Sequence, residues 1–345
     1  MTLVCEGLDL GFGNTKFTKG DENDIFPSIA VLSGGAQFDD GVFKKADVFE
    51  VRVGEVEYLV GKEISKLLTN ETKVLNRDYV KSDQYKALTY AALQSMGHSE
   101  IDFLGVGLPH NNFIEMKTEL KDWLEGHHNI GGGKSVTIHN VVVIQQPVAG
   151  LINFAKGADA FKEMQTSRTL RFDFGYFSND WATCDGFTPV DSLSGASDTG
   201  AYTVYQQVMR HLNETVIADL GLEKLESSDF HRIDLALRNN SLKICGVQVP
   251  LDGVVGGEKK FSPVKEVISQ VANQAIMPAS NNIGKSAKTV DKIIAGGGSS
   301  AMFIESLRKA FPRHDISVEA DGIYSNANGL KIAAKTYSEH LKKVG

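Results

Sequence analysis

Asp9-Leu10-Gly11-Phe12-Gly13-Asn14-Thr15-Lys16 and Asp173-Phe174-Gly175-Tyr176-Phe177-Ser178-Asn179-Asp180 lie nearly half the chain apart in a sequence of 345 residues. Each begins with an aspartate at the end of an apolar run, turns on glycine and returns as a second extended segment. A chain that repeats one strand–turn–strand unit in two halves of similar length has few ways to fold. Two related domains facing each other would bring both turns to one cleft. The length agrees, being about two domains' worth.

The rest of the pattern fills in an α/β architecture. Residues 3–9, 103–106 and 136–145 read as buried strands, and 51–53 with 56–60 as a hairpin around Gly54 and Glu55. Residues 82–96 gather Tyr85, Leu88, Ala92 and Met96 on one helical face, and 111–124 do so with Phe113, Met116, Leu120 and Trp123. Pro147 opens a further helix through Phe154, where its missing N–H has no partner to lose. In the second half, 169–173 and 179–185 form the repeated hairpin, and 202–212, 263–277 and 301–311 read as helices. Residues 292–295 are a strand that runs into Gly296, Gly297 and Gly298. The alternation predicts a mixed α/β fold, with the polar stretch 156–166 as the domain boundary.

Composition excludes several classes. No apolar run approaches the roughly 18 residues that span a membrane, and Glu6 and Asp9 near the start argue against a signal peptide. Cys5, Cys184 and Cys245 are widely spaced, form no metal or disulfide pattern, and suit a reducing cytoplasm. With 36 basic against 43 acidic residues, a net charge of −7 and no basic stripe, direct nucleic-acid binding is not expected.

Glycines at 11 and 13 let several backbone N–H groups approach one anion, and Lys16 adds a positive charge beside them. Asp9 and Asp173 are oxygen ligands suited to a hydrated Mg²⁺. Together they would clamp a nucleotide's phosphates. Gly296, Gly297, Gly298 and Ser299 stand between a strand and a helix, where the chain can pass flat against a base or sugar. Gly133-Lys134-Ser135 imitates the end of a P-loop, but the pattern's first glycine would fall at His128 and a strand follows instead of a helix. Gly131, Gly132 and Gly133 therefore read as a hairpin connection, and His127, His128 and His139 as solvated.

These motifs resemble those of the actin, sugar-kinase and heat-shock-chaperone ATPase superfamily. Asp9 to Lys16 is similar to its first phosphate loop, Asp173 to Asp180 to its second, and Ile293 to Ser299 to its adenosine motif. Gln145-Gln146-Pro147-Val148-Ala149-Gly150 resembles the first inter-domain connection, and Tyr324-Ser325-Asn326-Ala327-Asn328-Gly329-Leu330 the second. The nearest likeness is to bacterial actin-like plasmid-segregation ATPases of the ParM/StbA type. It implies two actin-like (ribonuclease H-like) domains around a nucleotide cleft: residues 1–160, with a terminal helix 331–345 packed back on them, and residues 161–330.

The resemblance also implies roles. Asp9 and Asp173 would hold Mg²⁺ through its waters, with Gly11, Gly13, Asn14, Thr15 and Lys16 around the β- and γ-phosphates. Gly175 and Ser178 would approach the γ-phosphate, and Asp198 the ribose or base. Gln146 would orient the attacking water, its simpler role being to cap the following helix. ATP is the implied nucleotide, with GTP left open. The implied activity is ATP hydrolysis coupled to head-to-tail filaments that move plasmid DNA through a DNA-binding adaptor, without a membrane. A small-molecule kinase or a non-polymerising scaffold ATPase of the same superfamily is the alternative. No sugar-binding signature is evident, and the short stretch after Leu330 leaves no room for a chaperone's peptide-binding domain. Phe12, Tyr176 and Phe177 depart from the small residues common in relatives, and would either narrow the γ-phosphate pocket or pack as core.

Overall fold

The computed structural model describes residues 3–33, 47–64, 77–255 and 257–344. Two six-stranded sheets carry the architecture, each built around parallel strands flanked by antiparallel hairpins. In the first sheet β1 (Cys5–Leu10) turns into β2 (Asn14–Lys19) and β3 (Glu22–Pro27). A small sheet of β4 (Val31–Leu32), β5 (Val48–Val53) and β6 (Val56–Gly61) follows, turning at Gly54 as expected. Then come α1 (Asp83–Met96), β7 (Glu100–Leu108), α2 (His110–Leu124), β8 (Gly126–Gly131) and β9 (Lys134–Gln145), giving the order β3-β2-β1-β7-β9-β8. Ser82 starts α1 by accepting from the Tyr85 N–H at 3.1 Å, and Gly97 ends it with φ 77°.

The chain leaves the first sheet through α3 (Gln146–Phe154) and α4 (Ala158–Thr166). The stretch 156–166, expected to be a polar boundary, is thus mostly helical, because Met164 buries against Leu151, Ala182 and Ile294. The second sheet comprises β10 (Arg168–Phe174), β11 (Asn179–Asp185), β12 (Thr188–Pro189), β13 (Gly195–Ser197), β18 (Lys292–Gly296) and β19 (Ile316–Val318). Between β13 and β18 lie α5 (Ala201–Leu212), α6 (Phe230–Asn239), the small hairpins β14 (Leu242–Ile244) with β15 (Val247–Val249) and β16 (Val254–Val255) with β17 (Glu258–Lys259), and α7 (Val264–Ile283). After β18 come α8 (Ser300–Ala310) and, beyond β19, α9 (Ser325–Val344).

Each sheet has its own apolar core. In the second, Phe172, Phe174 and Phe303 stack with centroids 5.5 and 4.9 Å apart. Helix α9 returns to the first sheet and lies flat on β1 and β7: a Cβ on Gly7 would stand 2.0 Å from the Ala327 carbonyl oxygen, and one on Gly105 2.2 Å from that of Leu330. Gly345, part of the expected terminal helix, lies outside the described residues. His127 and His139 are exposed as expected, but His128 is buried, bonded to the Leu124 carbonyl and packed beside Tyr90 and Trp123. No helix among the described residues is long and apolar enough to cross a membrane.

Candidate functional site

Strand register builds the site. In the antiparallel pair β1–β2, Asp9 stands opposite Lys16. In β10–β11 the equivalent pair is Asp173 opposite Asp180, and Asp173 also neighbours Gly296 across β18. The two hairpins are therefore the same device with one exchange, an ammonium in the first and a carboxyl in the second.

Asp9 is buried and both of its oxygens are engaged. Lys16 Nζ donates to Oδ2 at 2.7 Å and Gln146 Nε2 donates to Oδ1 at 2.7 Å. Gln146 thus reaches from the start of α3 to the first elbow instead of capping its own helix. Burial disfavours the Lys16 charge, yet Asp9 and, less strongly, Asp173 and Tyr324 raise its pKa above the ordinary lysine value. Asp9 is thus the main partner of this lysine, with Asp173 adding to the effect.

Asp173 accepts from Asn326 Nδ2 at 2.7 Å, a bond from the first turn of α9 to the end of β10. Asn326 Oδ1 is buried beside it without a partner. Gly297 sits against the same carboxylate: with φ 89° it takes a backbone shape that favours glycine, and a Cβ there would lie 2.6 Å from Asp173 Oδ1. Ser299 fastens this turn to the second elbow, its hydroxyl bonded to the Phe174 and Gly175 carbonyls at 2.8 and 2.7 Å. The elbows touch directly, for a Cβ on Gly13 would stand 2.7 Å from Tyr176 Cβ.

Asp180 completes the constellation. The backbone N–H of His110, at the start of α2, donates to its Oδ1 at 3.0 Å, and Ser178 Oγ donates to Oδ2 at 2.8 Å. Burial pushes this carboxyl up to about 7; those two hydrogen bonds oppose the rise, and the charges of Asp173 and Asp198 add to it. Asp198 itself is exposed on the turn before α5.

The other expected residues divide by what they do. Gly11 lies in the first elbow, where a Cβ would stand 3.1 Å from the Asn14 carbonyl oxygen and 3.4 Å from Lys16 Nζ. Thr15 turns away, its hydroxyl paired with Ser28 Oγ at 3.1 Å. Gly175 N–H closes the second elbow on the Ser178 carbonyl at 3.0 Å. Gly298 lines a cavity of about 250 Å³ between α6, α7 and α8, with Asp234, Arg238, Lys265, Ile268 and Met302 around it. That cavity, Asn326, Asp180 and His110 were not anticipated. Only the Asn326 stretch and the second elbow carried a signal for them.

Residues 7–148 match the family model described as "Actin like proteins N terminal domain". No curated protein matches the chain. Among solved structures, the archaeal actin homologue Ta0583 superposes with a TM-score of 0.77 at 20% identity, covering 97% of this chain and all of that one. Its complex with ADP scores 0.75 with the same identity and coverage. The ParM of a 15-stranded filament from Clostridium botulinum scores 0.73 at 18% identity, over 97% of this chain and 100% of that one. The pCBH ParM non-polymerisable quadruple mutant scores 0.72 at 20% identity, over 96% and 98%. Two repeated elbows on two sheets, an actin-like N-terminal domain and whole-length superposition on actin homologues converge: this chain has the actin-like fold.

Proposed function

We propose that the protein is a nucleotide-driven polymerising ATPase whose head-to-tail filaments segregate plasmid DNA through a separate DNA-binding adaptor. One observation carries the nucleotide reading: elbows from two different sheets meet at Gly13 and Tyr176, one ending in Asp9 held by Lys16 and Gln146 and the other in Asp173. The solved relatives include an actin homologue with ADP and a ParM filament, which favours the same reading.

The phosphates would lie beside the elbows, near Lys16 and the backbone N–H groups of Gly11 and Gly13, with the last phosphate of a triphosphate approaching Gly175. The nucleoside would enter the cavity beside Gly298. The donor set fits Mg²⁺: two buried carboxylates, with the unpartnered Asn326 Oδ1 adjoining one of them. No group of three or more His, Cys, Asp or Glu among the described residues is arranged as a metal cage. That suits an ion which keeps its waters and leans on substrate phosphates. Bound there, Mg²⁺ would neutralise charge on the phosphates.

Gln146 donates to Asp9, and its carbonyl oxygen would be the group that accepts from an attacking water. Glutamine is too weak a base to take the proton, so its part is orientation. Gln146→Ala should keep nucleotide affinity and slow phosphate release on the order of 10²–10³-fold; an unchanged rate removes it from the mechanism. The filament reading is tested by pelleting and light scattering. Polymer is expected with Mg-ATP and not with Mg-ADP or no nucleotide. Phosphate transfer to a sugar without polymer would instead identify a kinase.

A further inference from the structure

The two elbows are joined by aromatic rings. Phe12, between Gly11 and Gly13, packs on Phe177 of the second elbow, the rings tilted by 49° with centroids 4.9 Å apart. Phe12 also packs on Tyr79 at 5.0 Å, and Tyr79 on Tyr85 at 5.3 Å, so the contact is rooted in the core of the first sheet. On the other side Tyr176 presses against Gly13 and packs on Tyr202 and Tyr205, at 5.8 and 6.1 Å, against the second core.

Neither elbow is slack behind these rings. The first is held by Ser28, whose N–H donates to the Gly13 carbonyl at 3.1 Å and whose hydroxyl donates to that of Gly11 at 2.5 Å. The second is held by the Tyr202 N–H, which donates to the Tyr176 carbonyl at 2.7 Å, and by the closing bond from Gly175 to Ser178. Two anchored turns in van der Waals contact leave no room for a tetrahedral group between them. Admitting one means parting Phe12 from Phe177.

We propose that Phe12 and Phe177 form a clasp that reads the length of the phosphate chain. This rests on the nucleotide reading above. A diphosphate ends before the clasp and leaves it shut, whereas the terminal group of a triphosphate must separate the rings to reach Gly13 and Gly175. The clasp slows triphosphate entry and makes the separation of the elbows depend on the third phosphate.

Stopped-flow association of fluorescent (N-methylanthraniloyl) ATP and ADP tests this on the whole chain with Mg²⁺. Wild type should take up the triphosphate more slowly than the diphosphate. Phe177→Ala should speed triphosphate association about tenfold and leave the diphosphate within about twofold. Phe12→Leu, which keeps apolar volume beside Tyr79, guards against simple misfolding and should shift the same ratio in the same direction. Equal acceleration of both nucleotides, or of neither, overturns the clasp while leaving the nucleotide site intact. Wild type that binds neither nucleotide overturns the site and the clasp with it.

Discussion

A buried carboxylate has to be met by donors or cations, and the three aspartates of the cleft meet that demand differently. Asp9 has Lys16 and Gln146, Asp173 has Asn326, and Asp180 has only a hydroxyl and a backbone N–H. Its carboxyl accordingly keeps its proton up to about pH 7. The unfolded chain loses that proton near pH 4, so Asp180 costs stability as pH rises from about 4 to 7, and the cost is constant above. Asp180→Asn should therefore gain on wild type across that window, by a few kcal/mol at most, and run parallel to it above pH 7. Urea melts of the nucleotide-free protein at pH 5, 6, 7 and 8 check this. A second buried charge, Arg171, pairs with Glu319 at 2.7 Å beneath Gly296, and Ser325 Oγ donates to the other Glu319 oxygen at 2.6 Å. Arg171→Met leaves that carboxylate without its cation, at about 3–5 kcal/mol. Thermal melts should show a large loss for the single variant and partial recovery when Glu319→Gln is added.

At the scale of elements, α9 crosses α3 at Gly329, while Gly150 of α3 makes room for Arg171 of β10. A Cβ on Gly329 would fall 1.7 Å from the Ala149 carbonyl oxygen, and one on Gly150 1.9 Å from Arg171 Cζ. Gly329→Ala must push the helices apart and should cost about 1–3 kcal/mol, read as a lowered melting temperature. Elements with clean periodicity were legible: α1 and α2 begin within one residue of the expected positions, and the hairpins at Gly54 and Gly131 were foreseen. Others were hidden. Helix α7 runs through Pro278 to Ile283, although proline usually ends a helix, because Ala279 and Ile283 bury in the second core. Helix α4 has too few apolar residues to stand out in sequence. In the site, each elbow could be read locally. The bonds from Gln146 to Asp9, Asn326 to Asp173 and His110 to Asp180 join residues 137, 153 and 70 positions apart, and no local pattern specifies such pairs.

For the whole molecule, a net charge of −7 opposes self-association at low ionic strength. The screening length falls from about 30 Å at 0.01 M to about 8 Å at 0.15 M salt. The critical concentration for assembly with Mg-ATP should fall over that range; a rise would mean that complementary charged patches make the contact. The crossing of α3 and α9 has a mechanical consequence. Both passages of the chain between the two sheets meet at one tightly fitted spot, with Arg171 and Glu319 locked beneath it, so any rocking between the halves would pivot there. The elbows work close to it on a short arm. If the halves rock there, an ångström gained between Phe12 and Phe177 would become a wider swing at their far ends, and in the proposed filament that swing would reach the contact with the next copy.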